Sequence, residues 1–219
     1  MHTSLAALFA ASAAIVSVGA VPFRNSQTAS ITPHDKYSSS IGVPGCKINT
    51  NRVAYWPGSV SCDKICVKVT NADRSLYLLK IDSSAGAYDI SYDAWNELAF
   101  GSSAKENPQM GGGIQMEYEF VDTNNCKDLL DDGKLPLSAP NSINYVASCL
   151  GQPNSWVAKN YKLVNIADSQ CKYGKDEECT LDLNVSNQPS CPSTLGTTEN
   201  LDKPVFDIEY GTGKEVKAQ

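Results

Sequence analysis

The feature that most constrains this chain is its set of eight cysteines, Cys46, Cys62, Cys66, Cys126, Cys149, Cys171, Cys179 and Cys191, an even number spread over about two thirds of the 219 residues. In an oxidising compartment such a set predicts four disulfides and a fold stapled by them. Cys62-x-x-x-Cys66 also has the spacing of half a zinc site. No second pair of that kind and no nearby histidine accompanies it, so the thiols are read as structural and no metal or cofactor is expected.

The compartment follows from the first twenty residues, MHTSLAALFAASAAIVSVGA, which are apolar and small, carry no acidic residue and end in Val18-Gly19-Ala20. They read as a secretory signal peptide cut after Ala20. No later stretch offers the apolar run of about eighteen residues that a membrane helix needs. An extracellular monomer with no membrane partner is the expectation. Residues 21–40, VPFRNSQTASITPHDKYSSS, are rich in Ser, Thr and Pro and show no apolar period, so they read as a disordered linker or propeptide. The folded part is then expected to start at Ile41 and to hold roughly 180 residues in one domain.

Histidine narrows the chemistry. Its two copies are His2, in the leader, and His34, in the expected linker, which leaves the expected domain with none. That argues against Ser-His-Asp and Cys-His catalysis, His-ligated zinc hydrolysis and paired-histidine nucleases. The formal charge of −6 lies entirely outside the leader and makes nucleic acid a poor partner.

Along the chain, CVKVTNADRSLYLL predicts a β-hairpin, with Val67 and Val69 alternating before the Asn71–Arg74 turn. YDAWNELAFG predicts a short helix, in which Ser91 is the N-cap, Gly101 the stop, and Asp93 and Glu97 a solvated face. GIQMEYEFVD predicts a half-buried strand that places Ile114, Met116, Tyr118 and Phe120 on one face. Helices follow over SAPNSINYVASCLG and near Trp156. Residues 169–201 read as a disulfide-stapled loop region, and VFDIEYG as a last strand.

CVKVTNADRSLYLLKID, AYDISYDAWNEL and GGIQMEYEFVD, in this order and spacing, resemble barwin-like proteins, the double-psi β-barrels related to expansin domain 1 and bacterial RlpA. The resemblance covers roughly residues 62–126, and small secreted cysteine-rich proteins of filamentous fungi share the pattern. It implies a mainly β fold: a six-stranded double-psi β-barrel over residues 41–126, followed by a helical and cysteine-rich extension over 127–219 that packs on the barrel or completes it, VFDIEYG being a candidate for the completing strand. It also implies Cys66 paired with Cys126 and Cys46 with Cys62. The last four cysteines would then bond among themselves, in one of three ways. Ser83 stands where the family's third bridge has a cysteine.

Asp89 falls where expansin-like and RlpA-like domains carry a groove aspartate that related glycoside hydrolases use as general acid. Hydrolysis needs a second carboxylate about 5–9.5 Å away. The family takes it from the N-terminal segment, and residues 41–61 contain no Asp or Glu. Asp89 is read alternatively as a carboxylate stabilising the start of the helix, and Asp82 as a turn residue. Tyr55, Trp56, Tyr88 and Tyr92, with Asp82 and Asp89, form the candidate sugar-binding set, because aromatic rings stack on sugar faces while nearby polar groups orient them. In that set Tyr55-Trp56 is placed in a loop; Trp95, outside the set, is placed in the core. Asn184-Val-Ser186 is a glycosylation sequon. The reading is a secreted, non-catalytic protein whose partner is a cell-wall polysaccharide, chitin or β-glucan, or a host cell-surface component on which it acts as an effector. A glycan-active or lytic enzyme using Asp89 and a protein-binding inhibitor or toxin are the alternatives.

Overall fold

The structure is a computed structural model and describes residues 26–219. The signal-peptide expectation for residues 1–20 lies outside the described residues. The chain is mainly β. Its strands β1 (Gln27–His34), β2 (Val53–Pro57), β3 (Cys66–Asn71), β4 (Arg74–Ser84), β5 (Tyr88–Ser91) and β6 (Ile114–Phe120) close a barrel in the order β1-β5-β2-β4-β3-β6. The β1·β5 and β2·β4 pairs are parallel and the other four antiparallel.

The strand that completes the barrel is not VFDIEYG. It is β1, from the segment expected to be a linker. In β1 only Ala29 and Ile31 turn inward, too short an alternation to stand out among polar residues. The residues after it are held by polar bonds and by the burial of Tyr37 in the outer core. Ser38 Oγ and Ser40 N donate to Asp82 (2.5 and 2.9 Å), Ser39 Oγ donates to the Ile81 carbonyl, and Tyr37 N donates to Asp207 Oδ1 (2.9 Å). The domain therefore starts by Gln27, and His34 belongs to it.

Inside the barrel, Ile31, Ala54, Trp56, Val69, Leu78 and Ile90 form one core with Trp95 and Leu98 of α1 (Tyr92–Phe100). Gly101 ends α1 at φ 82°, its N–H bonded to the Glu97 carbonyl at 2.8 Å, the left-handed stop that glycine adopts most readily. Ser91 sits at the N-cap position without capping through its side chain. Its Oγ donates to the Thr50 carbonyl at 2.7 Å and accepts from Val53 N at 2.9 Å, bracing β2. Asp93 is buried, not solvated. Arg52 pairs with it at 2.9 Å and also with Glu97, while Ser103 Oγ and Ala104 N donate to its other oxygen.

The extension supplies β7 (Leu135–Ser138), α2 (Ile143–Leu150), α3 (Trp156–Asn160), β8 (Tyr161–Ile166) and β9 (Gly174–Cys179), then the hairpin of β10 (Phe206–Ile208) and β11 (Glu215–Lys217). β7, β8 and β9 form a separate three-stranded sheet. The extension lays Leu137, Val146, Val157, Leu163 and Ile166 against the outer face of β2 and β4, where Val53, Tyr55, Leu79 and Ile81 make a second core. β2 is thus buried on both faces and reads as an unbroken apolar run in place of an alternation.

All eight cysteines are bonded, as Cys46–Cys171, Cys62–Cys149, Cys66–Cys126 and Cys179–Cys191. The Cys46–Cys62 pairing is overturned, and so is closure of the last four among themselves. Both cysteines lie on the face that the extension covers, and each reaches across to it, which fastens extension and barrel together. Neither Cys62 nor Cys66 is a zinc ligand. Among the described residues no helix is long and apolar enough to cross a membrane.

Candidate functional site

The residues singled out from the sequence do not share one open site. Tyr55 and Trp56 lie in β2, not in a loop, and are 4% and 1% exposed. They point into the outer and inner cores respectively. Burial pushes the Tyr55 hydroxyl far above its ordinary range. Tyr92 is buried with its hydroxyl on the Gln109 carbonyl (2.7 Å). Asp82 is buried and accepts from Ser38, Ser40 and Ser83, so it holds the segment after β1. Asp89 is half-buried in β5, opposite Thr32 on one side and Tyr55 on the other. The Thr32 hydroxyl donates to its carboxylate. Asn184 stands exposed in a turn.

Two depressions flank these residues. The first is a polar cleft where His34, Asp35, Asn51, Asp93 and Asp207 gather around Tyr55, whose ring centroid lies 4.5 Å from that of His34. Asp93 is neutralised by Arg52. Asp207 has a side chain 3% exposed, and burial raises its pKa, against the lowering by the Tyr37 N–H and by Lys36 at 3.8 Å. Asp89 does not line this cleft. Its room, about 20 Å³, suits a water-sized body and not a sugar ring.

The Asp207 shift has a testable consequence. A carboxyl whose folded pKa is raised keeps its proton in the native state to a higher pH than in the unfolded chain. Stability therefore falls as pH rises through that window, and the loss persists above it. Asp207→Asn keeps the acceptor for Tyr37 N and removes the charge. Relative to the parent, its melting temperature is expected to rise progressively from pH 3 to pH 7. A difference that is flat or reversed with pH would refute the burial account.

The second region is the barrel mouth beside β6. Around Trp56 stand Tyr88 at 5.3 Å, Tyr118 at 4.7 Å and Phe120 at 5.9 Å, centroid to centroid, with edge-on geometry. Tyr118 donates to Gln27 Oε1 at 2.6 Å, and its hydroxyl pKa is pushed up to about 12, first by burial and then by Tyr88. Tyr88 is half-buried and Phe120 is 43% exposed, so the cluster surfaces at these two rings. Next to Phe120 an open groove of about 590 Å³ runs between the end of β6 and α3. Of the rings that reach the surface here, only Tyr88 was in the sequence-based set. The signal for Phe120 was its place at the end of the inward face of β6, where an inward residue emerges at the barrel rim. Trp156 had no signal beyond its residue type.

Fold and site together define a small β-barrel closed by six strands, stapled by four disulfides, with an aromatic mouth and an open groove beside it. No protein-family model, curated protein or solved structure matches the chain.

Proposed function

We propose that the chain is a secreted barwin-like, expansin-like barrel that binds cell-wall polysaccharide without cleaving it. Four disulfides and the closed barrel suit life in an oxidising extracellular space. The observation that carries the binding reading is the aromatic mouth, where Tyr88 and Phe120 reach the surface over a rigid bed of Trp56 and Tyr118. Rings held in place by other rings lose little freedom on stacking against a sugar face. The non-catalytic part rests on the carboxylates: Asp89 is engaged by Thr32, Asp93 by Arg52, Asp63 and Asp122 accept from the backbone N–H groups of Trp156 and Asn124, and the cleft holding Asp35 and Asp207 is too small for a sugar.

The test is retention of the mature protein on insoluble chitin, cellulose, β-1,3-glucan and peptidoglycan, with released sugars assayed in parallel. One polymer is expected to retain it with no sugar released. Tyr88→Ala is expected to weaken retention about two- to tenfold, the range for loss of one stacking ring. Retention on no polymer would refute the reading, and sugar release abolished by Asp89→Asn would make the protein an enzyme.

A further inference from the structure

The groove beside the mouth is built differently from the mouth itself. One wall is Phe120 to Asn124 at the end of β6, the other is Asn154 and Trp156 at the start of α3, and Asp63 and Lys64 lie between them. Its walls are tied to one another by hydrogen bonds. Trp156 N donates to Asp63 Oδ1 at 2.7 Å, Trp156 Nε1 donates to Asn124 Oδ1 at 3.0 Å, Val157 N donates to the Cys62 carbonyl at 3.0 Å, and Thr123 Oγ1 donates to the Asp63 carbonyl. The Cys62–Cys149 and Cys66–Cys126 bonds bracket it, because Asp63 and Lys64 lie between Cys62 and Cys66, Cys126 follows Asn124 closely, and Cys149 precedes α3. The indole of Trp156 is therefore pinned through its Nε1–H and the backbone beneath it through the amide N–H, and the groove is formed before any ligand arrives.

Its chemistry selects a class of ligand. The volume of about 590 Å³ lies within the range of small-ligand sites. The charged lining residues Asp63, Asp122, Lys64 and Lys159 cancel, so the groove favours neither a polyanion nor a polycation. Trp156 and Phe120 provide ring surface, and the carboxamides of Asn154 and Asn160 both donate and accept, as sugar hydroxyls do. Phe120 belongs to the mouth cluster and lines the groove as well, which makes the two regions continuous.

We propose that the groove between Phe120 and Trp156 holds further units of an uncharged glycan that leaves the barrel mouth along α3. This rests on the polysaccharide-binding reading and assigns the extension, through α3, a direct part in it. The extension is then more than a cover for β2 and β4.

The experiment uses the whole mature protein, labelled with nitrogen-15 and titrated with the hexasaccharides of chitin, β-1,3-glucan and cellulose and with a polygalacturonate hexamer. The chain has three tryptophans and thus three indole N–H resonances. Those of buried Trp56 and Trp95 are expected to stay within a small shift, while that of Trp156 moves with one neutral hexasaccharide. Trp156→Ala is expected to raise Kd about tenfold. Asn154→Ala with Lys159→Ala, at exposed positions that leave the fold intact, is expected to raise it about threefold. A Trp156 resonance that stays still at saturation, with affinity lost in Tyr88→Ala and kept in the groove variants, would overturn the groove and leave the mouth standing. Binding of the polygalacturonate alone would overturn the uncharged class. If no hexasaccharide shifts any resonance and no polymer retains the protein, both readings fall.

Discussion

Trp56→Ala is expected to destabilise the protein by about 3–5 kcal/mol and to lower its melting temperature by about 6–20 °C, the range for emptying a large buried aromatic site in a domain of this size. The indole is 1% exposed and lies among the rings of Tyr88, Tyr118 and Phe120 at the barrel end. Those rings are anchored to two different strands, β5 and β6, each fixed in the closed barrel, so they cannot collapse together into the space it leaves. A melt followed by circular dichroism measures the cost. A Trp56→Ala protein that melts within a degree or two of the parent would mean the ring is not core. Any loss of glycan retention in that variant therefore reports a damaged scaffold, and only the exposed rings test stacking.

Removing Cys46–Cys171 as a Ser/Ser double variant is expected to cost about 4–5 kcal/mol, against about 3 kcal/mol for Cys179–Cys191. The first bond spans 125 residues and the second 12, and the loop-closure entropy each takes from the unfolded chain grows with the logarithm of that span. Cys46–Cys171 also helps Cys62–Cys149 fasten the extension over β2 and β4. Guanidinium denaturation of the two variants gives the ranking. Equal costs, or a larger cost for Cys179–Cys191, would refute the loop-closure account of the ranking.

The parts legible in the sequence are those whose signal is local. The β3–β4 hairpin, α1 with its glycine stop, and β6 each carry a full period of apolar residues and a turn or cap residue at the boundary. β1 carries only Ala29 and Ile31, and the serines after it fold by bonding to Asp82 and Ile81, partners some forty residues away. No local window contains that information. The same distance hid the buried state of Asp93, whose counter-charge Arg52 precedes β2. It also returned His34 to the domain, so the exclusion of histidine chemistry drawn from the sequence no longer has its premise. The loop placement of Tyr55-Trp56 failed for one reason. A tyrosine or tryptophan beside Pro57-Gly58 looks the same whether its strand has one free face or none.

Composition and local order by themselves determined a cysteine-stapled domain, the hairpin, the helix and the half-buried strand, because periodicity and capping are properties of neighbouring residues. Tertiary structure decided which strand closes the barrel, which cysteines meet, and which aromatic rings stay outside. Those depend on what covers each face. Here the extension covers β2 and β4, burying Tyr55 and drawing Cys46 and Cys62 away from one another, and leaves Phe120 exposed and Trp156 half-buried on the groove wall.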